Sequence, residues 1–165
     1  MRTLYPLKGF QAFDAIFRHG ERFAYRGVTA FILFENRCTP DFVGQTPALG
    51  HITKVWEKDG NALIVGVSAK RRTRPAAMRN RVKRLLRAAA HLVIEREGQS
   101  SHGIVAMVLV CNIIPAKPSL LRLDEVLPLV RRIIQNADKY YSVRHPLSSN
   151  STSHKDRSAP RETTA

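Results

Sequence analysis

The sequence holds only two cysteines, Cys38 and Cys111, which excludes a disulfide framework and offers no zinc-ligand spacing. Each lies in a strand-like stretch, the usual setting of a buried, reduced thiol in a cytoplasmic protein. No apolar run reaches the roughly 18 residues that cross a bilayer, so no membrane role is expected. The first residues, "MRTLYPLKGF", lack the apolar core of a secretory signal. Acid is the third shortage: 13 Asp and Glu stand against 27 Lys and Arg, a net charge of +14. Asp14, Glu21, Glu35, Asp41, Glu57 and Asp59 are spread out, and the next acid is Glu95. No pair suits two-metal hydrolysis. The histidines (His19, His51, His91, His102, His145, His154) are equally scattered. No catalytic residue and no metal ligand is therefore expected in this chain. The cationic excess points to a polyanion, nucleic acid ahead of an anionic membrane surface.

What is present reads as one domain over residues 1–145 and a Ser/Thr-rich, disordered tail over 146–165. "KGFQAFDAIFRHG" is a helix with Phe10, Phe13, Ile16 and Phe17 on one side and Gly20 as its stop. A short strand near 22–25 and "VTAFILFEN" (28–36) follow. Residues 37–60 carry prolines and glycines and read as an inserted hairpin connection, with "HITKVW" as a strand extension. "NALIVGVSAK" (61–70) is a strand, and a helix runs from Pro75 to about Glu97. "GIVAMVLVCN" (103–112) is apolar almost throughout, the mark of a central strand covered on both faces. A last helical pattern covers 123–137, with Pro128 expected to bend it or delay its start. The order α-β-β-β-α-β-α gives an α+β fold: a mixed sheet with helices packed on it.

The helix after Pro75 separates two kinds of side chain. Met78, Val82, Leu85, Leu86, Ala89, Leu92 and Val93 share one side of a helical wheel. Arg79, Asn80, Lys83, Arg84, Arg87 and His91 share the other, with Arg81 at the border. Ser68 to Arg87 holds nine Lys or Arg and no acid. A solvated helix face mixes signs, because like charges at i,i+4 repel by a few tenths of a kcal/mol. Arg79, Lys83 and Arg87 stand at that spacing with nothing to relieve them. Bound phosphates would reverse the sign. Lys70, Arg71, Arg72 and Arg74 add charge just before the helix N-terminus, itself partially positive. The preceding element is a strand, which argues against a helix-turn-helix reader of DNA.

"SAKRRTRPAAMRNRVKRLLRAA" (68–89) resembles the protein subunit of bacterial ribonuclease P. The family pattern is a strand ending in paired basic residues, a short loop, Ala, two residues, Arg-Asn-Arg, a hydrophobic residue, then Lys-Arg and a further Arg. Ala76, Arg79-Asn80-Arg81, Lys83-Arg84 and Arg87 fill those slots, and "FQAFDAIFRHG" matches the family's first helix. The loop "RTRPAA" and Ala88 depart from residues many members carry there. The resemblance implies a left-handed βαβ crossover carrying the basic helix, where general chirality favours the right-handed form. It implies a subunit that binds the catalytic RNA and the 5′ leader of precursor tRNA during endonucleolytic 5′ maturation. The RNA would be the catalyst and hold most of the Mg²⁺, and the protein alone would hold no cofactor.

Two RNA surfaces are expected. Arg79, Asn80, Arg81, Lys83, Arg84 and Arg87 would meet structured RNA, with Arg72 and Arg74 as an additional basic loop. Phe13 and Phe17 would line a leader groove edged, on the resemblance, by Lys70 and Arg71. Both rings fit a stacking platform and the core alike, and Phe10 is expected in the core. The alternative function is a structural RNA-binding protein of ribosomal type with no role in tRNA cleavage. No protein partner is indicated.

Overall fold

The computed structural model describes residues 2–69, 75–98, 101–112 and 121–146. Lys70, Arg71, Arg72 and Arg74 lie outside these residues, as does the tail beyond Pro146.

The β-branched and aromatic run "VTAFILF" forms β3 (Val28–Phe34), which hairpins with β2 (Glu21–Tyr25) through Arg26 and Gly27. Both turn residues have positive φ, 45° and 85°, the twist a two-residue hairpin needs. The apolar run becomes β5 (Ile104–Cys111), buried on both faces except at Val110. β4 (Ala62–Ala69) lies parallel to β5 on one side, and β3 lies antiparallel on the other. β1 (Thr3–Pro6) extends the sheet as a parallel edge on β4, giving the order β1-β4-β5-β3-β2. The fold is the expected α+β single domain with a mixed sheet.

The element order differs from the expected one at two places. β1 is too short to show a period in sequence. It is held by pairing and by Arg2, whose guanidinium donates to the carbonyls of Ser101 (2.6 Å), Ala62 (2.8 Å) and Ile104. Residues 37–60 are not a hairpin connection, and "HITKVW" is no strand. A 3-10 turn at Glu35–Arg37 leads to α2 (Pro40–Gln45), a second turn at Pro47–Leu49 and α3 (Gly50–Lys58). The prolines start these turns rather than breaking them. Pro40 takes the first helical position, and the Thr39 hydroxyl accepts from the Phe42 amide at 3.4 Å.

Each face of the sheet carries its own core. α4 (Ala76–His91), its π-helical continuation Leu92–Arg96 and α5 (Leu123–Arg144) cover one face. α5 starts at Leu123 with Pro128 inside it, early and on the exposed side, so the proline removes one hydrogen bond without ending the helix. α1 (Phe10–His19), α2 and α3 cover the other face, where Ile16, Leu49 and Ile52 are fully buried against Ile64, Val105 and Ala106. Gly66 of β4 lies beneath this layer: a Cβ there would meet Leu7 and Phe13 at 2.8 Å.

The 40–58 helices are thus part of the core. Ile52→Ala should cost about 2–5 kcal/mol in urea unfolding. A loss below about 0.5 kcal/mol would show that the connection merely lies on the surface.

Candidate nucleic-acid interface

α4 meets the sheet and α5 through Met78, Val82, Leu86, Ala89 and Ala90, so its opposite side faces outward. Asn80, Arg81, Arg84 and Arg87 are exposed, and Arg79 and Lys83 are half-buried. Leu85, read as core, is only half-buried. Arg81 turns toward the start of α5 and donates to the Leu121 carbonyl at 3.1 Å. The other cations of the row project along one helix face, three and four residues apart.

Carboxylates that form ion pairs do so with other partners. Glu95 takes His91 at 2.9 Å, just where the cationic run ends. That hydrogen bond holds the Glu95 carboxyl below its ordinary value. Glu97 is bound by Arg131 through contacts of 2.6 and 2.8 Å, which lowers its pKa likewise. Asp14 pairs with Arg18, Glu21 with Arg37 and Asp138 with His102. Among the described residues, Lys83, Arg84 and Arg87 form no ion pair with a carboxylate.

The second surface lies on the other side of the sheet, so the fold does not merge the two. There the side chains of neighbouring strands align in rows. Gly66, Val108, Phe31 and Arg22 form one row, and Ser68, Val110, Thr29 and Ala24 form the next. Phe17 is 38% exposed and stands edge-on to Phe31, with ring centroids 4.9 Å apart. Phe13 is half-buried over Gly66. Phe10, expected in the core, is 84% exposed. It sits nearly opposite the buried Ala12, Ala15 and Ile16 on the α1 wheel. Lys70 and Arg71, which follow β4 in the sequence, lie outside the described residues. Arg22, Ala24, Thr29, Val110 and Asn112 were not singled out in the sequence. The alternation of "ERFAY" put Arg22 and Ala24 on one side, but only the strand register places them beside Phe31 and Thr29.

Among the described residues, no three His, Cys, Asp or Glu side chains come together in a metal-binding group. Burial, with Glu35 nearby, pushes the Cys38 thiol up to about 11, so it is a poor nucleophile at neutral pH. The arrangement can bind phosphate and stack bases. The rings separate by stability: Phe13→Ala should cost about 2–4 kcal/mol and Phe17→Ala about 1 kcal/mol in chemical unfolding. Equal losses would place both rings in the core.

A family model described as Ribonuclease P matches residues 1–112. The fold is similar to that of the Staphylococcus aureus RNase P protein, with a TM-score of 0.51 at 12% identity over 81% of this chain and 94% of that one. A mutant of that protein with defective mRNA degradation activity aligns with a TM-score of 0.50 at 12% identity, over 81% and 87% of the two chains. No curated protein matches the sequence. With the model spanning more than half of its length, the chain belongs to the ribonuclease P protein family, which ties it to tRNA processing.

Proposed function

We propose that this chain is the protein subunit of the ribonuclease P ribonucleoprotein: it binds the catalytic RNA and the 5′ leader of precursor tRNA and assists endonucleolytic removal of that leader in the cytoplasm. The observation that carries this reading is the outward face of α4, where Lys83, Arg84 and Arg87 have no carboxylate partner among the described residues. Phosphates of a structured RNA supply the missing negative charge and position the protein more than they specify a sequence. On the other face, Phe17 offers a ring to an unpaired base, and Arg22 stands in the next strand beside Phe31.

In this reading the bond is cut by the RNA, which also binds the Mg²⁺. The chain's contribution is to neutralise RNA phosphates, letting the complex form where Mg²⁺ alone screens too little, and to hold the single strand upstream of the cleavage point.

The test is reconstitution. Mixed with a bacterial ribonuclease P RNA at low Mg²⁺, the protein should raise precursor-tRNA cleavage well above that of RNA alone. Binding without stimulation would leave an RNA scaffold of ribosomal type and overturn the proposal. The contact face has its own check. Replacing Arg79, Lys83 and Arg87 by Ala should flatten the slope of log affinity for the catalytic RNA against log salt by about two to three. An unchanged slope would clear that face of phosphate contact.

A further inference from the structure

The cation row of α4 does not end in open solvent. Arg79, Lys83, Arg87 and His91 stand four residues apart, a rise of about 6 Å at each step. The last two, Arg87 and His91, rim a groove of about 250 Å³ between α4 and the edge strand β1. Its walls are Leu4 and Pro6 of β1, Val65 of β4 and the small Ala90 of α4. The groove follows from the register. Leu4 pairs with Leu63 and Pro6 with Val65, so these four side chains share the α4 face of the sheet. Leu63 and Val67 are buried there, whereas Val65 between them is only half-buried. Over Val65, α4 offers a methyl group, a guanidinium and an imidazole, and the apolar floor stays partly uncovered.

We propose that this groove takes one unpaired nucleotide of the RNA bound along α4, with its base against Leu4, Pro6 and Val65 and its phosphate on Arg87. This rests on the reading of α4 as the seat of the catalytic RNA. Three observations choose that occupant. The groove is continuous with the cation row through Arg87, which forms no ion pair with a carboxylate among the described residues, so a backbone following the row arrives at its rim. The outer edge of β1 does not accept a peptide strand. The amides of Thr3 and Leu7 donate to the β4 side, to the carbonyls of Asn61 and Val65, which turns positions 4 and 6 outward. There the Leu4 amide donates to the Glu95 carboxylate at 3.4 Å and Pro6 has no N–H, so an added strand finds no donor. The carbonyls of the same two residues point outward as well, and they can accept from a base N–H. The volume suits a single heterocycle, since pockets that enclose a whole small-molecule ligand run to about 300–1,000 Å³. The nearby acid, Glu95, is already engaged. One of its oxygens takes the Leu4 amide, and the other meets Nδ1 of His91 at 2.9 Å. An ionised carboxylate only accepts, so Nδ1 carries the proton of that bond and Nε2 is left for the nucleotide.

The experiment compares complexes reconstituted with a bacterial ribonuclease P RNA, reading affinity for that RNA and the reactivity of its unpaired bases toward base-modifying reagents. Val65→Phe fills the groove from its floor without changing charge. It should weaken binding by about tenfold, leave the slope of log affinity against log salt unaltered, and expose one unpaired base that the wild-type protein protects. Pro6→Glu, at an exposed position on the edge strand, should expose the same base, and it carries the test if Val65→Phe does not fold. A folded variant with wild-type affinity and an unchanged protection pattern would overturn the groove as a nucleotide site while leaving the α4 reading intact. Weaker binding with the protection pattern unchanged would overturn it too, because the groove would then act only through the shape of α4. Failure of the wild-type protein to bind the RNA would overturn the α4 reading, and the groove with it.

Discussion

Strand β5 is apolar on both sides and carries the strands β4 and β3, so both faces of the sheet have to be covered. The chain covers them unequally. One face receives the two longest helices, α4 and α5. The other receives α1, ten residues long, and the short α2 and α3. The first arrangement fixes which side of α4 looks outward. The second leaves the last row of the sheet partly open. Both candidate RNA surfaces are consequences of how one buried strand is covered.

The energetics of α4 show why its cations are tolerated. Burying Met78, Val82 and Leu86 contributes about 1.5–3 kcal/mol for each side chain. Each like-charge pair on the opposite side costs about 0.2–0.5 kcal/mol. Packing wins by a wide margin, so the helix forms with its repulsion intact. That repulsion is a standing preference for anions, and a bound phosphate converts each contact from a cost to a gain. The two acids that follow α4 in the chain do not remove it, because Glu95 and Glu97 are taken by His91 and Arg131.

The legible parts of the sequence were those with a long period or an unbroken run. The stripe of α4, the two-sided burial of β5 and the Gly20 stop of α1 follow from side-chain spacing alone. Short elements escaped. β1 has four residues, and its place is set by pairing with β4 and by the long reach of Arg2, neither visible locally. The prolines of 37–60 looked like loop signals, yet Pro40 and Pro47 sit at helical first turns, the one site where proline fits. Phe10 misled because three phenylalanines at helical spacing look like one stripe. The buried face of α1 is instead built of Ala12, Ala15 and Ile16, which leaves the rings at its margin and beyond. The row Ser68–Val110–Thr29–Ala24 could not be read at all, since register is a property of paired strands.

The two surfaces lie on opposite faces of the sheet, but the chain does not separate them by much. β4 contributes Ser68 to the last row of the sheet and ends one residue later, and α4 opens at Ala76 with Arg79 closing its first turn and Asn80 beginning the next. Both surfaces therefore meet at the end of the sheet where β4 hands over to α4. A structured RNA seated on α4 and a single strand crossing the sheet would converge there. On β4 itself, Gly66 leaves room for Phe13 to lie against the strand. A side chain at that position would press on the ring of Phe13 and the end of Leu7, which would have to move. The seat of Phe13 on the second surface thus rests on a glycine in the strand beneath it.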